Sequence, residues 1–305
     1  MQASTPPSPD PHRKPPDVLY IMGTGRSGST ILEIVLADAV GAHGAGELFD
    51  VIEDGLQRNV LCSCGQPFDR CPIWQPVSRA LAPLAPDPVA ATAQFRRIEW
   101  HRGCLQRWLS PRPLPAQYES YQRTLLDALR AATGAATLID SSKYAGRALA
   151  LNQLLGEDLK VVWLLRSPSG ILQSFRKPNQ DEQRPKALLS AFTYVLFVSL
   201  CCRLAQARLG SQCLVIHYED FMAAPERELQ RLGDWSGIDF SHVKQRIGSG
   251  ENFDVGHLLT ANRLRKQGRV HLRPETPLRQ QLPGAHQVAA MVLNVWYALL
   301  GVRRR

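Results

Sequence analysis

At 305 residues with 44% apolar content, the chain has room for one large α/β domain or two smaller ones around a sizeable core, which excludes a fibrous or wholly disordered protein. The formal charge of +9 fits an anionic partner, and part of the excess is local, in Arg263, Arg265, Lys266, Arg269 and Arg273. With no zinc finger, no RNP motif and no alternation of aromatic with basic residues, a small anionic ligand is the better match than nucleic acid.

The first sixteen residues, MQASTPPSPDPHRKPP, are rich in proline and poor in apolar residues, and read as a disordered tail. They lack the basic start and hydrophobic run of a secretory signal, so the expected location is cytoplasmic. Val18 to Met22 is an almost wholly apolar run, as in a strand buried on both faces of a parallel sheet. A glycine-rich turn follows, and then "STILEIVLADAV" with Ile31, Ile34, Val35 and Ala39 at helical spacing. The next stretch, "VGAHGAG", is small and glycine-rich, a poor candidate for a buried strand.

Residues 49 to 132 read as a helical insert, with proline-rich loops near 83 to 88 and 111 to 115. Within it, Cys62, Cys64 and Cys71 in "LCSCGQPFDRCP" are close enough to share a zinc ion, but neither a C-x-x-C pair nor an evident fourth ligand accompanies them. Seven cysteines is an odd count in a chain too large to need disulfide staples. Reduced thiols in a compact loop are the default, with a metal or a disulfide as the alternatives.

Downstream, "ATLIDSS" and "KVVWLLRSP" each read as a strand ending in polar residues, with helices from about Tyr144 to Leu155 and from near Ser169. "QCLVIHYEDF" gives another strand, and Pro225 stands where a helix would begin. Ala187 to Cys202 falls short of the 18 to 20 apolar residues a membrane span needs, and Ala285 to Val302 carries His286, Gln287 and Asn294. Both read as buried helices, and no transmembrane segment is expected. The alternation of strands and helices predicts one α/β domain over residues 17–305, with a central parallel sheet flanked by helices and ligands at the carboxyl ends of its strands.

The turn "MGTGRSGST" can be read two ways. Gly23, Gly25 and Gly28 spell G-x-G-x-x-G, while Gly23, Gly28, Ser29 and Thr30 almost spell G-x-x-x-x-G-K-[ST]. A dinucleotide site also needs a second strand ending in an acid, and although Glu47 lies at the right distance, the residues before it are poor strand formers. A nucleoside triphosphatase needs the loop lysine and an acid for Mg²⁺; Asp140 suits the second role, but Ser29 stands where the lysine belongs. The cation has moved to Arg26, whose planar guanidinium can fork two oxygens of an oxyanion. Backbone N–H groups of the following helix and the Ser29 and Thr30 hydroxyls complete an anion cradle.

"GTGRSGST" after a strand resembles the 5′-phosphosulfate loop of sulfotransferases that use 3′-phosphoadenosine 5′-phosphosulfate (PAPS). "WLLRSPSGILQSF" is similar to that family's 3′-phosphate element, an arginine ending a strand and a serine eight residues on, here Arg166 and Ser174. "GELFDVIEDG", "LCSCGQPFDRCPIW", "LIDSSK", "HYEDFMAAPERELQRL" and "GHLLTANRLRKQGRVHLRPE" follow in the order of the bacterial branch, with Ala261-Asn262 where Gly-Asn is usual. The resemblance implies a P-loop NTPase-like sulfotransferase fold that moves a sulfuryl group from PAPS to a hydroxyl, leaving 3′-phosphoadenosine 5′-phosphate (PAP), with no metal in the chemistry.

It further implies that Gly25, Arg26, Ser27, Gly28, Ser29 and Thr30 take the 5′-phosphosulfate, and that Arg166 and Ser174 take the 3′-phosphate. Glu47 is then the expected base and Lys143 the group reaching the bridging oxygen, with Arg265 and Lys266 closing over the 3′ end or recruiting an anionic acceptor. His43 is an alternative base, Asp140 and Ser142 alternatively cap the next helix, and Tyr218 and Glu219 have a structural role beneath the site. The acceptor is a hydroxyl of a small molecule, glycan, lipid or peptide, in a pocket shaped by the insert and the helix around Phe192 to Phe197. An ATP- and Mg²⁺-dependent kinase or hydrolase is the competing enzyme, and a noncatalytic anion or nucleic-acid binder the competitor from another class.

Overall fold

The computed structural model describes residues 14–110, 112–177, 185–259, 267–272 and 282–304. Strand β1 (Val18–Gly23) leads through the glycine loop into helix α1 (Ser29–Leu36), and β2 (Ala42–Gly46) follows. A 3-10 turn, Leu48–Asp50, and a π-helical stretch, Val51–Gln57, open the insert. Its helices are α2 (Trp74–Leu81), α3 (Pro88–Glu99), α4 (His101–Leu109) and α5 (Ala116–Thr133). Then come β3 (Thr137–Lys143), α6 (Ala145–Leu155), β4 (Leu159–Leu165), α7 (Pro168–Arg176), α8 (Leu188–Leu209) and β5 (Cys213–His217). Helices α9 (Tyr218–Ala223), α10 (Pro225–Ser236) and α11 (Ser241–Gly248), a short antiparallel pair β6 (Phe253–Asp254) and β7 (Arg269–Val270), and α12 (Gly284–Leu299) complete the chain.

The five long strands form one parallel sheet in the order β2-β3-β1-β4-β5. The alternation along β1 shows why its sequence is apolar at every position. Val18, Tyr20 and Met22 pack with the insert and with α6 and α8 on one face, while Leu19 and Ile21 pack with α1, α9 and α10 on the other. The expected single α/β domain with a central parallel sheet is therefore the fold observed.

Three expectations require correction. "AHGAG" is a strand after all, β2, at the sheet edge. Its small residues have a packing reason, because a Cβ on Gly44 would stand 3.1 Å from the Ala37 Cβ and 3.4 Å from the Glu33 side chain. The length argument against a membrane span also fails: α8 has 22 residues and is long and apolar enough to cross a bilayer. One stripe of it, Ala191, Val195, Val198, Cys202, Ala205 and Leu209 at three- and four-residue spacing, is buried against the rest of the fold. Helix α12, expected to be buried, lies at the surface; Ala290, Leu293 and Tyr297 face inward while Val288, Met291, Val295 and Leu299 are exposed.

The insert is fixed to the sheet by a buried polar network. Arg147 of α6 is fully buried; its Nε donates to Asp140 Oδ2 at 2.8 Å and its Nη1 to Glu99 Oε1. Glu99 also accepts from the Tyr118 hydroxyl at 2.7 Å and from Gln122 Nε2 at 3.0 Å. Burial penalises each charge, so the arrangement is tenable only because both carboxylates share the guanidinium and nearly every polar atom is satisfied. Asp140 is thus a core ion-pair partner, and the residue before α6, Tyr144, offers no side-chain cap, so the capping role foreseen for Asp140 and Ser142 does not hold. At the other boundary, the Asp87 side chain accepts from the Val89 and Ala90 amides and Pro88 occupies the first turn, which starts α3.

Candidate active site

The loop from Gly23 to Gly28 crosses from the carboxyl end of β1 into α1 under tight steric control. A Cβ on Gly23 would lie 2.5 Å from the Leu164 carbonyl oxygen, and one on Gly28 would lie 2.3 Å from the Tyr218 ring. Gly28 also has φ +94°, the left-handed region where side chains are disfavoured. Arg26 has φ +70°, and Lys143, at the end of β3, has φ +77°. Among the described residues only Asn59 otherwise shares this conformation without being glycine. Backbone strain of this kind costs on the order of 1–3 kcal/mol and concentrates at functional sites, so it singles out the two cations that the sequence proposed.

The loop has the features of an anion cradle. Ser27 Oγ is buried without a hydrogen-bond partner among the described residues. Ser29 and Thr30 are buried at the start of α1, whose first turn has no side-chain cap and no acid. The Gly25 amide is committed elsewhere: it donates to the Tyr194 hydroxyl of α8 at 2.8 Å, so Gly25 contributes room rather than a donor.

Arg166 directly follows β4, next to β1, and its Nη1 donates to the Arg26 carbonyl at 3.1 Å. Its guanidinium stacks over the Tyr218 ring, 4.6 Å from the centroid. Beneath it, Glu219 Oε1 accepts from the Ser167 amide at 2.8 Å, which fits the supporting role expected of Tyr218 and Glu219. Ser174 is half-buried on α7, the helix that leaves β4 through Arg166.

Glu47 follows β2 and Lys143 is the last residue of the adjacent strand β3, and they meet: Lys143 Nζ and Glu47 Oε1 form an ion pair with both side chains largely buried. The Glu47 side chain makes no cap to the turn that follows, so this contact rather than a helix end orients it. His43 is elsewhere. It pairs with Leu138, which pairs with Val18, near the amino ends of the strands. At about 3.3 Å per residue it is set back some four residues from Glu47 along the strand direction. Burial holds its imidazole at about pKa 4.

Two groups escaped the sequence reading. Tyr194 supports the loop, as described above, and Lys186 lies over the Tyr194 and Phe175 rings, with its Nζ 4.4 and 4.9 Å from their centroids. Burial, and then the charge of Arg26, lower the Lys186 pKa, so the two cations are neighbours. Neither residue belongs to a local motif; only the packing of α7 against α8 brings them to the loop. Arg265 and Lys266 lie outside the described residues.

The strand order argues against the dinucleotide reading of the glycines. In a dinucleotide fold the acid-bearing strand neighbours β1; here β3 lies between β2 and β1, which places Glu47 one strand too far. Asp140, the acid available for Mg²⁺ in the nucleotidase reading, is fully buried and has both oxygens engaged, by Ser142 and by Arg147.

The carboxyl edge of the parallel sheet thus carries the arginine-bearing glycine loop and, on the neighbouring strand ends, an acid-lysine pair. The sulfotransferase family profile matches residues 16–242, and the chain belongs to that family. Its fold is similar to the sulfotransferase domain from the curacin biosynthetic pathway, with 17% identity over 92% of this chain and 98% of that one and a TM-score of 0.50. The sulfotransferase domain of the Synechococcus PCC 7002 olefin synthase has 21% identity, coverage of 94% and 96%, and a TM-score of 0.48. Sulfotransferase STF9 from Mycobacterium avium has 15% identity, coverage of 77% and 67%, and a TM-score of 0.43. No curated protein sequence matches this chain.

Proposed function

We propose that this sulfotransferase moves a sulfuryl group from PAPS to a hydroxyl acceptor, releasing PAP and a sulfate ester. The observation that carries the reading is the Glu47–Lys143 ion pair at the same sheet edge as the Arg26 loop. It supplies a proton acceptor and a leaving-group cation beside an anion cradle.

The residues present fit the donor. The unpartnered Ser27 Oγ, the uncapped start of α1 and the cations Arg26, Arg166 and Lys186 suit a ligand with phosphate at both ends. When bound, PAPS supplies a sulfuryl group activated by its anhydride to phosphate. Arg26, Ser27 and the first amides of α1 would hold the 5′ end, and Arg166 and Ser174 would hold the 3′-phosphate. Glu47 accepts the proton of the acceptor hydroxyl, and Lys143 places its charge against the negative charge that develops on the 5′-phosphate. Nothing in this scheme asks the protein for a covalent intermediate or a metal, so orientation and charge neutralisation account for the rate. The insert, with Phe49 stacked on Tyr144 at 4.0 Å, forms the acceptor side next to Glu47.

Calorimetric titration with PAP, ATP·Mg²⁺ and NAD on the wild type and Arg166→Ala tests the donor. The expected outcome is PAP binding alone, lost or strongly weakened in the variant. ATP·Mg²⁺ binding equal to or better than PAP would overturn the reading in favour of a nucleotide-dependent kinase or hydrolase.

A further inference from the structure

The insert cysteines, for which the sequence offered no fourth partner, acquire one in the fold. The ligand atoms of Cys62, Cys64, Cys71 and His257 all lie within 4.8 Å of one another. Cys64 Sγ is 3.7 Å from Cys71 Sγ, and His257 Nδ1 is 3.3 Å from Cys71 Sγ and 3.8 Å from Cys62 Sγ. A disulfide needs sulfurs about 2.05 Å apart, and all three cysteines are free thiols. Around one tetrahedral zinc, with Zn–S of about 2.3 Å and Zn–N of about 2.0–2.1 Å, thiolate sulfurs stand about 3.8 Å apart and sulfur to nitrogen about 3.6 Å. We infer that Cys62, Cys64, Cys71 and His257 form a structural zinc site.

The surrounding backbone is organised to hold these four groups together. Cys62 N donates to the Gln66 carbonyl at 2.8 Å, its carbonyl accepts from Gly65 N at 2.9 Å, and Gly65 has φ +83°. This tight turn puts Cys62 and Cys64 on the same side. Cys71 N donates to the Pro67 carbonyl at 2.8 Å and closes the loop. Four hydrogen bonds then clamp residues 256–258 onto it. Ser63 N donates to the Leu258 carbonyl at 2.9 Å and Ser63 Oγ to the Gly256 carbonyl at 2.5 Å, while Leu258 N donates to Ser63 Oγ at 2.9 Å and Trp74 Nε1 to the His257 carbonyl at 2.8 Å. The imidazole is therefore delivered to the thiols by main-chain geometry, across almost two hundred residues of sequence.

The donor set selects the metal and its role. Three thiolates and an imidazole favour zinc over magnesium or calcium, which prefer oxygen. Four protein ligands leave no open position, the arrangement of structural rather than catalytic zinc. On binding, the thiols release their protons to solvent and three Zn–S bonds and one Zn–N bond form, with no change of oxidation state. The metal would pin the loop that carries Phe68, whose ring lies 2.8 Å from where a Cβ on Gly55 would stand in the π-helical stretch after Glu47. It would equally anchor the chain shortly before Arg265. None of the four ligands belongs to the donor loop or the ion pair, so the site stands or falls independently of the PAPS reading.

Metal analysis of the full chain, purified without a metal-affinity step, tests this. The expected result is one zinc per chain in the wild type and none above the buffer blank in Cys71→Ser or His257→Ala. Co²⁺ added to metal-free, reduced wild type should give the visible absorption of a tetrahedral thiolate site, so the test does not depend on whether the variants fold. Wild type without zinc that takes up no Co²⁺ would overturn the inference, as would a Cys64–Cys71 disulfide found by peptide mapping of the freshly isolated, unreduced protein.

Discussion

The guanidinium of Arg166 is hydrogen-bonded to the backbone carbonyl of Arg26, Nη1 to O, at 3.1 Å. The contact holds the donor loop in the left-handed turn that Arg26 adopts and joins the two arginines proposed for opposite ends of the donor. Arg166→Ala should therefore weaken PAP binding by more than a phosphate contact alone. Loss of one hydrogen bond to a charged group is worth about 1.5–3 kcal/mol, or about 10- to 150-fold in affinity. Arg166→Lys should recover little of it, because an ammonium cannot both stack on Tyr218 and fork toward loop and phosphate. Calorimetry on both variants checks this; full recovery by lysine would show that charge alone matters.

Glu47→Gln should lower kcat by about 10²- to 10⁴-fold, the usual contribution of a positioned base, while PAP affinity stays as in the wild type. Lys143→Ala should also lower kcat, and because the two side chains are in contact their effects should not add. A double-mutant cycle on kcat with coupling of about 0.5–3 kcal/mol is the expected result. Strict additivity would mean that the pair seen here plays no part in turnover.

Gly28→Ala places a methyl group 2.3 Å from the Tyr218 ring at φ +94°. Overpacking typically costs about 1–3 kcal/mol, and the backbone conformation adds to it. Denaturant unfolding should show that loss, together with weakened PAP binding from a displaced loop. Unchanged stability would indicate that the loop and Tyr218 separate readily.

Arg147→Met removes the cation shared by Asp140 and Glu99, both buried. Leaving buried carboxylates unpaired is expected to cost about 3–5 kcal/mol, read as a lowered denaturation midpoint. The triple variant Arg147→Met, Asp140→Asn, Glu99→Gln should regain part of that stability, since no charge is then left without a partner.

Glu33 is fully buried in α1, where it accepts from the Gly46 amide at 2.5 Å and the Ser141 hydroxyl at 2.6 Å. Burial raises its pKa from 4.5 to about 8. The folded state thus retains a proton that the unfolded chain has already released, and stability contributed by Glu33 is complete below about pH 4.5 and declines as pH rises toward 8. His43 and His101, both lowered from 6.5 to about 4, work in the opposite sense, but only below about pH 6.5. Between pH 6.5 and 8, therefore, unfolding free energy should fall with pH in the wild type and be flatter in Glu33→Gln. Equal slopes in urea titrations across that window would refute the assignment.

Much of the sheet could be read from the chain: β1 is apolar throughout because it is buried on both faces, β4 departs from that only at Lys160, and β3 opens on the apolar pair Leu138 and Ile139 before its polar end. The exception is instructive. β2 contains Gly44 and Gly46 because α1 packs closely over it and the Glu33 carboxylate binds its backbone, a demand for small residues that no strand preference reveals. Likewise, the largely apolar α8 gives by composition the same signal as a membrane span, and its buried stripe becomes visible only in the fold.

The identity of the loop cation, Arg26, was fixed by local sequence, since a strand, a glycine turn and a helix start are adjacent in the chain. So were Arg166 at the end of its strand and the thiol cluster in the insert. What the tertiary structure alone decided are the pairings: Glu47 with Lys143, Arg166 with the Arg26 carbonyl, Lys186 and Tyr194 with the loop, and His257 with three cysteines nearly two hundred residues earlier. The physical reason is one of range. Periodicity and turn chemistry act over a few residues and leave a mark in the sequence, whereas these contacts depend on the strand order β2-β3-β1-β4-β5 and on helices docking across it, which no short segment encodes.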